Sequence, residues 1–261
     1  MPYCDLHIHS KFSFDGYSTI DEICSNAVSV GLKTIAFTEH LDMDPDYAYH
    51  QYLDYGEYSK AIERARTAYG DRLTILKGLE MDYQSRLQAD IESYLREHSF
   101  DVVIGSVHVL EGKFVDTEFF TGRSEEETFG AYFAEVKNMV RFGKFDIVGH
   151  IDYIRRYGEA FYPFSISRYE NVLQEILGGA KEKNLVLEVN TAGFRHGIAT
   201  PYPHYQILEN YRDLGGTRIC LGSDSHRALD VGYYFAEGMK LLEEMGFERI
   251  FCPGPESMKS A

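Results

Sequence analysis

The chain has 261 residues and a formal net charge of −15 at pH 7. Its composition, 44% hydrophobic and 26% charged, is typical of a soluble globular protein. The acidic balance argues against binding to nucleic acid or to an anionic membrane, because both depend on clustered Lys and Arg. No apolar run approaches the roughly 20 residues that cross a bilayer, and no signal peptide is evident.

The four cysteines show no metal-type spacing. They are Cys4, Cys24, Cys220 and Cys252. Scattered thiols in a chain of this size are typical of a reducing compartment. The sequence therefore predicts free thiols and a cytoplasmic protein.

Short β-branched segments alternate with helical patterns along the whole chain. The predicted strands are 3–9, 34–40, 73–82, 101–108, 146–152, 185–191 and 217–226. The predicted helices include 55–69, 87–97, 168–183, 205–214 and 232–245, with capping-box starts at 19–22 and 124–127. Such alternation predicts parallel strands with right-handed crossovers. Without a linker or repeat, we expect one domain over residues 1–261.

The stretch 41–58 departs from this alternation. It is acidic and tyrosine-rich and has no clear periodicity. It is either a loop that covers a substrate or a solvated connection.

Two histidines stand two residues apart in the first predicted strand. Strand alternation places Asp5, His7 and His9 on one face, with Leu6 and Ile8 on the other. Two imidazoles on one face fit either a metal ligand pair or a hydrogen-bonded core pair. The remaining strands decide between these alternatives.

Histidines and acids recur where the predicted strands end. They are His7, His9, Glu39, His40, Glu80, Asp82, His108, His150, Asp152, Glu188, Asn190, Asp224 and His226. Parallel α/β barrels build their active sites at the carboxyl ends of several strands, whereas open sheets use only a crevice. So many polar groups in one partly buried space predict a bound cation. The other histidines are expected at the surface: His50, His98, His196 and His204.

An ordered set of motifs resembles the PHP (polymerase and histidinol phosphatase) superfamily, in its monofunctional histidinol-phosphate phosphatase branch. The motifs are DLHIHSKFSFDG, FTEH, KGLEMDY, IGSVH, VGHIDYIRRYG, EVNTAGFR and GSDSH. The resemblance implies an α/β fold, a distorted TIM-like (β/α)7 barrel with its active site at the C-terminal ends of the strands. It also implies two or three divalent metal ions.

The resemblance assigns ligands to three metals. His7, His9, Glu80 and Asp224 surround the first; Glu80 bridges to the second, which His108 and His150 complete; Asp15, His40 and His226 hold the third. Some relatives carry His where this chain has Asp15, a difference that bears on metal preference. Imidazole and carboxylate ligands suit zinc, manganese or iron. Neighbouring acids are expected either to orient these histidines or to form caps and ion pairs: Asp5, Glu39 and Asp152.

The expected activity is phosphomonoester hydrolysis, in which metal-bound hydroxide attacks phosphorus. Glu80 and Asp224 would act through the metals. Arg195 is the first candidate for binding the phosphate, and Arg155 the second, although spacing does not separate Arg155 from Arg156. The resemblance implies L-histidinol phosphate as the substrate, within histidine biosynthesis. The only expected partner is therefore a small phosphate ester, and the sequence gives no oligomeric state.

Three other readings remain open from the sequence. One is a different PHP-type phosphoesterase, such as a phosphotyrosine phosphatase or a broad phosphomonoesterase. Another is a metal-dependent amidohydrolase, which Lys77 disfavours because it lies on the opposite strand face from Glu80. The last is a non-catalytic metal-binding module. For an amine-bearing substrate, Asp42 and Glu111 are further candidates.

Overall fold

The computed structural model of the chain describes residues 4–248 and 250–253. Its strands are β1 (Cys4–Ile8), β2 (Thr34–Leu41), β3 (Thr74–Asp82), β4 (Val102–Ser106), β5 (Val109–Leu110), β6 (Lys113–Phe114), β7 (Ile147–Val148), β8 (Val186–Asn190) and β9 (Ile219–Gly222). Each predicted strand is present, although Tyr3 lies outside the described residues. The short β5–β6 hairpin follows β4 and was not predicted.

Apart from the β5–β6 hairpin, the strands form one seven-stranded parallel sheet in the order β1-β2-β3-β4-β7-β8-β9. The first and last strands meet where Ile8 pairs with Ser225, next to a hydrogen bond of 2.9 Å from the N–H of His9 to the carbonyl of Ser225. The sheet therefore closes almost completely into the predicted distorted barrel. Closure places β1 next to the segment that follows β9.

The helices pack around this sheet. They are α1 (Ile20–Ser29), α2 (Tyr55–Tyr69), α3 (Gln88–Glu97), α4 (Thr117–Phe120), α5 (Ala131–Phe142), α6 (Arg155–Gly158), α7 (Ile166–Glu182), α8 (Ala192–Arg195), α9 (Tyr205–Asp213) and α10 (Phe235–Glu244). Both predicted capping boxes form, at Thr19 with Glu22 and at Ser124 with Glu127. In the part of the chain that the structure describes, no helix is long and apolar enough to cross a membrane.

Strand β1 contains an irregularity that matters for the histidines. Its register with β2 shifts between Asp5 and Ile8. Leu6 packs in the apolar interior of the barrel, while the next residue, His7, reaches the polar cluster at the carboxyl end. We expected Asp5 on the same strand face as His7, and Leu6 on the opposite face. That expectation is wrong, because a bulge reverses the alternation.

A small apolar cluster fills the barrel at its amino end, and every strand of the parallel sheet contributes to it. Its members are Cys4, Leu6, Ala36, Leu76, Val102, Ile104, Ile147, Val186 and Cys220. Phe251 and Cys252 pack against it, and the N–H of Phe251 donates to the carbonyl of Ile219 at 2.6 Å. The segment near the end of the chain thus covers the amino end of the barrel.

Cys4 and Cys252 form a disulfide, with Cα atoms 5.8 Å apart. The expectation of four free thiols is therefore wrong for this pair. The two cysteines are 248 residues apart and meet only in the closed barrel, so no local spacing pattern marks them. Cys24 and Cys220 remain as buried free thiols.

Thiol counting tests this pairing. Burial, with a contribution from Asp21, raises the pKa of the Cys24 thiol to about 12, and burial raises the pKa of Cys220. We therefore expect no rapid reaction of the native protein with a chromogenic disulfide reagent at mildly alkaline pH. After unfolding without reductant the count should be the two free cysteines, and four after reduction. Four thiols in the unreduced, unfolded protein would contradict the disulfide.

Candidate metal centre

All the predicted ligands meet at the carboxyl end of the barrel. Eight of them form four overlapping groups whose ligand atoms lie within 4.8 Å of one another. The groups are His9 with His40 and His226, His7 with His9 and Asp224, His7 with Glu80 and His150, and His40 with Glu80 and His108. The remaining ligand, Asp15, approaches His226 at 3.2 Å and His40 at 3.6 Å.

Glu80 is buried at the middle of this cluster, near the end of β3. Its Oε1 lies 2.9 Å from Nε2 of His150 and 3.3 Å from Nε2 of His7. Its Oε2 lies 2.8 Å from Nδ1 of His40 and 3.4 Å from Nε2 of His9. Each carboxylate oxygen therefore faces a different pair of rings, as a carboxylate that bridges two cations must.

Several buried atoms of the cluster find no hydrogen-bond partner among the residues that the structure describes. They are Nε2 of His7, Nε2 of His9 and Oδ1 of Asp15. An unpaired buried polar group costs about 1–3 kcal/mol, a cost that contact with a cation removes. Imidazole and carboxylate donors without thiolate suit zinc, manganese or iron. The residues present therefore fit divalent metal ions.

The charges of the cluster depend strongly on one another. Burial alone would raise the pKa of Glu80, but the rings of His7, His108 and His40 lower it well below its ordinary value. Burial lowers the pKa of His108 to about 3. Burial and the neighbouring His40 ring also lower the pKa of His9. Other rings shift in the opposite direction: against the effect of burial, Glu188 and Glu80 raise the pKa of His7 well above its ordinary value, and Glu80 raises the pKa of His40 to about 9. A bound cation would displace the protons of these rings, because metal ligands bind in their deprotonated form.

The residues assigned to the third metal lie closest to solvent. The side chains of Asp15 and His226 are 40% and 25% exposed, whereas those of His7 and Glu80 are 0% exposed. The cluster therefore runs from a buried interior to an open mouth.

Asp224 has a left-handed backbone conformation, with φ of 51°. Its N–H donates to the carbonyl of His7 at 2.8 Å. The guanidinium of Arg195 donates to the carbonyls of Ser223 and Asp224, each at 2.8 Å. A non-Gly residue in this conformation costs about 1–3 kcal/mol, and such strain concentrates at functional sites. These hydrogen bonds hold the Asp224 carboxylate among the histidines.

Glu188 orients His7, although it is not among the predicted site residues. Its Oε1 lies 2.6 Å from Nδ1 of His7, and its Oε2 accepts the N–H of His150 at 2.8 Å. This contact leaves Nε2 of His7 free to bind a metal, because a carboxylate on one ring nitrogen fixes the tautomer. The signal in the sequence was a charged residue inside an otherwise apolar strand, LVLEVN.

Asp5 has a different role from the ligand-orienting one considered for it. Its carboxylate accepts the N–H groups of Ser223 and Gly232, each at 2.9 Å. Burial raises the pKa of Asp5 to about 6, against the lowering effect of these donors. Asp5 therefore organises the turn after β9, where the barrel closes.

The two arginines of the IRRYG motif face different surroundings. Arg155 is buried, with Nη1 3.0 Å from Asp152, Nε 2.7 Å from Glu159 and Nη2 3.0 Å from the hydroxyl of Thr200. All its nitrogens are engaged within the fold, and it does not line the cavity described below. The expectation that Arg155 binds phosphate is corrected by this geometry.

Arg156, the next residue, does line that cavity. Its Nη1 donates to the hydroxyl of Tyr153 at 2.9 Å, and its guanidinium lies 5.0 Å from the ring centre of Tyr157. Consecutive residues of α6 point about 100° apart, which sends one arginine into the fold and the other toward the metal centre. Arg156, rather than Arg155, is therefore placed to reach a ligand in the cavity.

A cavity of about 620 Å³ opens above the ligand cluster. Its arginines follow β7, β8 and β9, namely Arg156, Arg195 and Arg227. Asp42, just after β2, and Asp82, the last residue of β3, form the part of the wall called here the acidic side. Other aspartates line the cavity elsewhere, among them Asp230 close in sequence to Arg227, so the remainder of the wall carries charges of both signs.

Burial raises the pKa of both Asp42 and Asp82 to about 8. The charge of the neighbouring Asp82 adds to the rise for Asp42. Oδ2 of each carboxyl group is buried without a hydrogen-bond partner among the described residues. Tyr49, from the same loop as Asp42, stacks on Phe14 with ring centres 4.0 Å apart, and both rings line the cavity. The acidic side is thus also aromatic, which favours the substrate-covering alternative for the 41–58 stretch.

His196 was expected at the surface, but it was also the histidine of that group singled out because it follows the sixth predicted strand, and the structure places it at the cavity. It is half-buried in the cavity wall, with Nδ1 3.2 Å from the hydroxyl of Tyr202. Its position directly after Arg195, past the end of β8, is the signal that marks it.

A seven-stranded parallel barrel with a histidine and carboxylate cluster at its carboxyl end defines a metal-dependent hydrolase of the α/β barrel class. The PHP domain model matches residues 5–192. The histidinol-phosphatase of Lactococcus lactis subsp. lactis (strain IL1403) is 32% identical over 96% of this chain and 94% of its own length. A probable histidinol-phosphatase of Deinococcus radiodurans is 30% identical over 93% of this chain and 94% of its own length.

The crystal structure of the Lactococcus lactis histidinol phosphate phosphatase complexed with zinc, L-histidinol and phosphate superposes with a TM-score of 0.85. The two chains are 30% identical, and 95% of each is covered. The chain belongs to the PHP domain family.

Proposed function

We propose that this protein is a metal-dependent phosphomonoesterase that hydrolyses L-histidinol phosphate to L-histidinol and phosphate. The observation that carries the proposal is the lining of the cavity above the ligand cluster: arginines follow β7, β8 and β9, and two buried aspartates with oxygens unpaired among the described residues, Asp42 and Asp82, stand at the ends of β2 and β3. The proposed substrate carries a phosphate at one end and a cationic amine with an imidazole at the other. The relative from Lactococcus lactis, which is complexed with zinc, L-histidinol and phosphate, supports the same assignment.

The proposed ligands are those assigned by resemblance, grouped around Glu80. Divalent cations held there would offset the phosphate charge and lower the pKa of bound water. Arg195 and Arg156 would hold the phosphate oxygens, because a guanidinium matches phosphate geometry. Arg195 additionally fixes the backbone of Asp224 through its two carbonyl contacts.

Asp42 and Asp82 would receive the ammonium group of the substrate. Their unpaired buried oxygens are the acceptors that a cation needs, and the acidic side contributes the aromatic surface for an imidazole. An anion site in a protein of net charge −15 would depend on the divalent cations together with the arginines, because six aspartates line the cavity against three arginines.

Lys77 supports this proposal over an amidohydrolase. Its Nζ lies 2.9 Å from the hydroxyl of Tyr55 and 3.3 Å from that of Ser59, both on α2 outside the barrel. The lysine therefore faces away from the ligand cluster.

Phosphate release by protein reconstituted with zinc, manganese or iron tests the proposal. The substrates are L-histidinol phosphate, a phosphotyrosine peptide and p-nitrophenyl phosphate. We expect histidinol phosphate to have the highest kcat/KM, and no activity after chelation. Equal kcat/KM for all three esters would sink the assignment of this substrate and favour a broad phosphomonoesterase.

Asp42→Asn tests the acidic side separately. The amide keeps the shape and the hydrogen bond to the N–H of Asp44, 2.6 Å from Oδ1. It cannot ionise, however, whereas the Asp42 carboxyl, whose pKa burial raises to about 8, can give up its proton when a cation binds beside it. We expect kcat/KM for histidinol phosphate to fall about 10- to 100-fold, as for loss of a hydrogen bond to a charged group. Turnover of p-nitrophenyl phosphate, which has no amine, is the control and should change little. An equal loss with both substrates would contradict ammonium binding by Asp42.

A further inference from the structure

A buried carboxylate without a cationic partner lies directly behind the metal centre. Glu39 is 0% exposed and immediately precedes His40. Its oxygens accept the N–H of Ser10 at 3.0 and 3.1 Å, the hydroxyl of Ser10 at 2.6 Å and the hydroxyl of Ser13 at 2.6 Å. Among the described residues, no Lys or Arg forms an ion pair with it. Burying a carboxylate in this way is costly, and the hydrogen bonds from Ser10 and Ser13 offset part of that cost.

Ser13 connects this carboxylate to two ligands. The Ser13 hydroxyl lies 3.1 Å from Nδ1 of His9 and accepts the backbone N–H of His40 at 3.0 Å. A serine hydroxyl has a single proton, and here Glu39 accepts it. Nδ1 of His9 must therefore carry its own hydrogen and donate to Ser13.

This hydrogen-bond direction fixes the state of the His9 ring. With the proton on Nδ1, Nε2 presents a lone pair, and Nε2 is the buried atom that faces Glu80 Oε2 at 3.4 Å without a hydrogen-bond partner among the described residues. His7, two residues earlier, achieves the same state through direct contact with Glu188 at 2.6 Å. The two histidines of the first strand thus use different carboxylates.

We propose that Ser13 and Glu39 are positioning residues for the metal centre, with the Ser13 hydroxyl relaying the carboxylate of Glu39 to His9 and anchoring the backbone of His40. The proposal rests on the metal-dependent function proposed above. Because Ser13 contacts both His9 and His40, its loss weakens ligands assigned to two different metals. Glu188 resembles Ser13 in this respect, because it contacts the ring of His7 and accepts the backbone N–H of His150.

Ser13→Ala is the central variant and Ser10→Ala its matched control. Both serines donate a hydroxyl to Glu39 at 2.6 Å, but only Ser13 touches a histidine. Zinc affinity is measured by competition with a chromogenic chelator, and bound metal is counted by elemental analysis. We expect zinc affinity to fall about 10- to 100-fold in Ser13→Ala, the range for groups that orient metal ligands, and much less in Ser10→Ala. Equal affinity in Ser13→Ala and wild type would overturn the proposal.

The His9 tautomer tests the relay separately from the stability of the fold. If Ser13 only stabilised the fold, its replacement would leave the tautomer unchanged. Long-range ¹H–¹⁵N correlations in the metal-free protein report which ring nitrogen carries the hydrogen. We expect hydrogen on Nδ1 of His9 in wild type and a mixture of tautomers in Ser13→Ala. Hydrogen on Nε2 in wild type would refute the relay.

Glu39→Gln keeps the experiment decisive if Ser13→Ala fails to fold. The amide retains the volume and can accept from Ser13, but it removes the charge. We expect zinc affinity to fall in this variant, as in Ser13→Ala. A zinc affinity equal to that of the wild type would overturn the proposal. Metal binding needs no turnover: a wild-type protein that binds zinc but does not hydrolyse histidinol phosphate refutes the proposed function and leaves this inference standing.

Discussion

Glu80→Gln is expected to lower kcat/KM for histidinol phosphate by at least about 1,000-fold, equivalent to about 4 kcal/mol of transition-state stabilisation. One carboxylate oxygen faces His7 and His150 and the other faces His9 and His40. An amide has a single acceptor oxygen and no charge, so it cannot serve both sides. We expect loss of metal as well as activity, because the proposed ligand sets share this residue.

Elemental analysis after purification, followed by phosphate release with added zinc, checks this prediction. Circular dichroism serves as the folding control. A folded Glu80→Gln protein that keeps the wild-type metal content and more than about a tenth of the wild-type kcat/KM would rule out Glu80 as the bridging ligand.

Replacing the two neighbouring arginines is expected to give opposite results. Arg156→Ala should lower kcat/KM about 100-fold or more, since charge-assisted hydrogen bonds to a phosphate each contribute about 1.5–3 kcal/mol. Its melting temperature should change little, because the side chain faces the cavity.

Arg155→Ala should instead destabilise the fold. It leaves the buried carboxylate of Asp152 without its ion pair at 3.0 Å, and breaking a buried pair costs about 3–5 kcal/mol. For a chain of this size that corresponds to a fall in melting temperature on the order of 10 °C. Thermal unfolding and kinetics on both variants provide the test. Loss of activity without loss of stability in Arg155→Ala would restore Arg155 as the phosphate ligand.

Much of the fold was predictable because it rests on local patterns. Hydrophobic alternation and capping boxes located each strand of the parallel sheet and the starts of α1 and α2 within a few residues. The ligands were predictable because strand ends converge in a parallel barrel. The family resemblance supplied their grouping around individual metals, which remains a prediction.

The features that sequence reasoning missed depend on three-dimensional packing. A bulge in β1 reversed the alternation that placed Asp5 beside His7, and nothing in CDLHI marks where the extra residue falls. Arg155 and Arg156 are chemically identical, and only the start of α6 decides which one faces the cavity. The disulfide joins segments at opposite ends of the chain.

The closure of the barrel by its first and last strands has a consequence for how the metal centre assembles. The carbonyl of His7 accepts the N–H of Asp224, so two ligands proposed for one metal are adjacent although 217 residues separate them in the sequence (224 minus 7). Contacts between such distant parts of a chain form late in folding, because closing the long loop between them costs entropy. We therefore expect tight metal binding to follow closure of the barrel rather than to precede it.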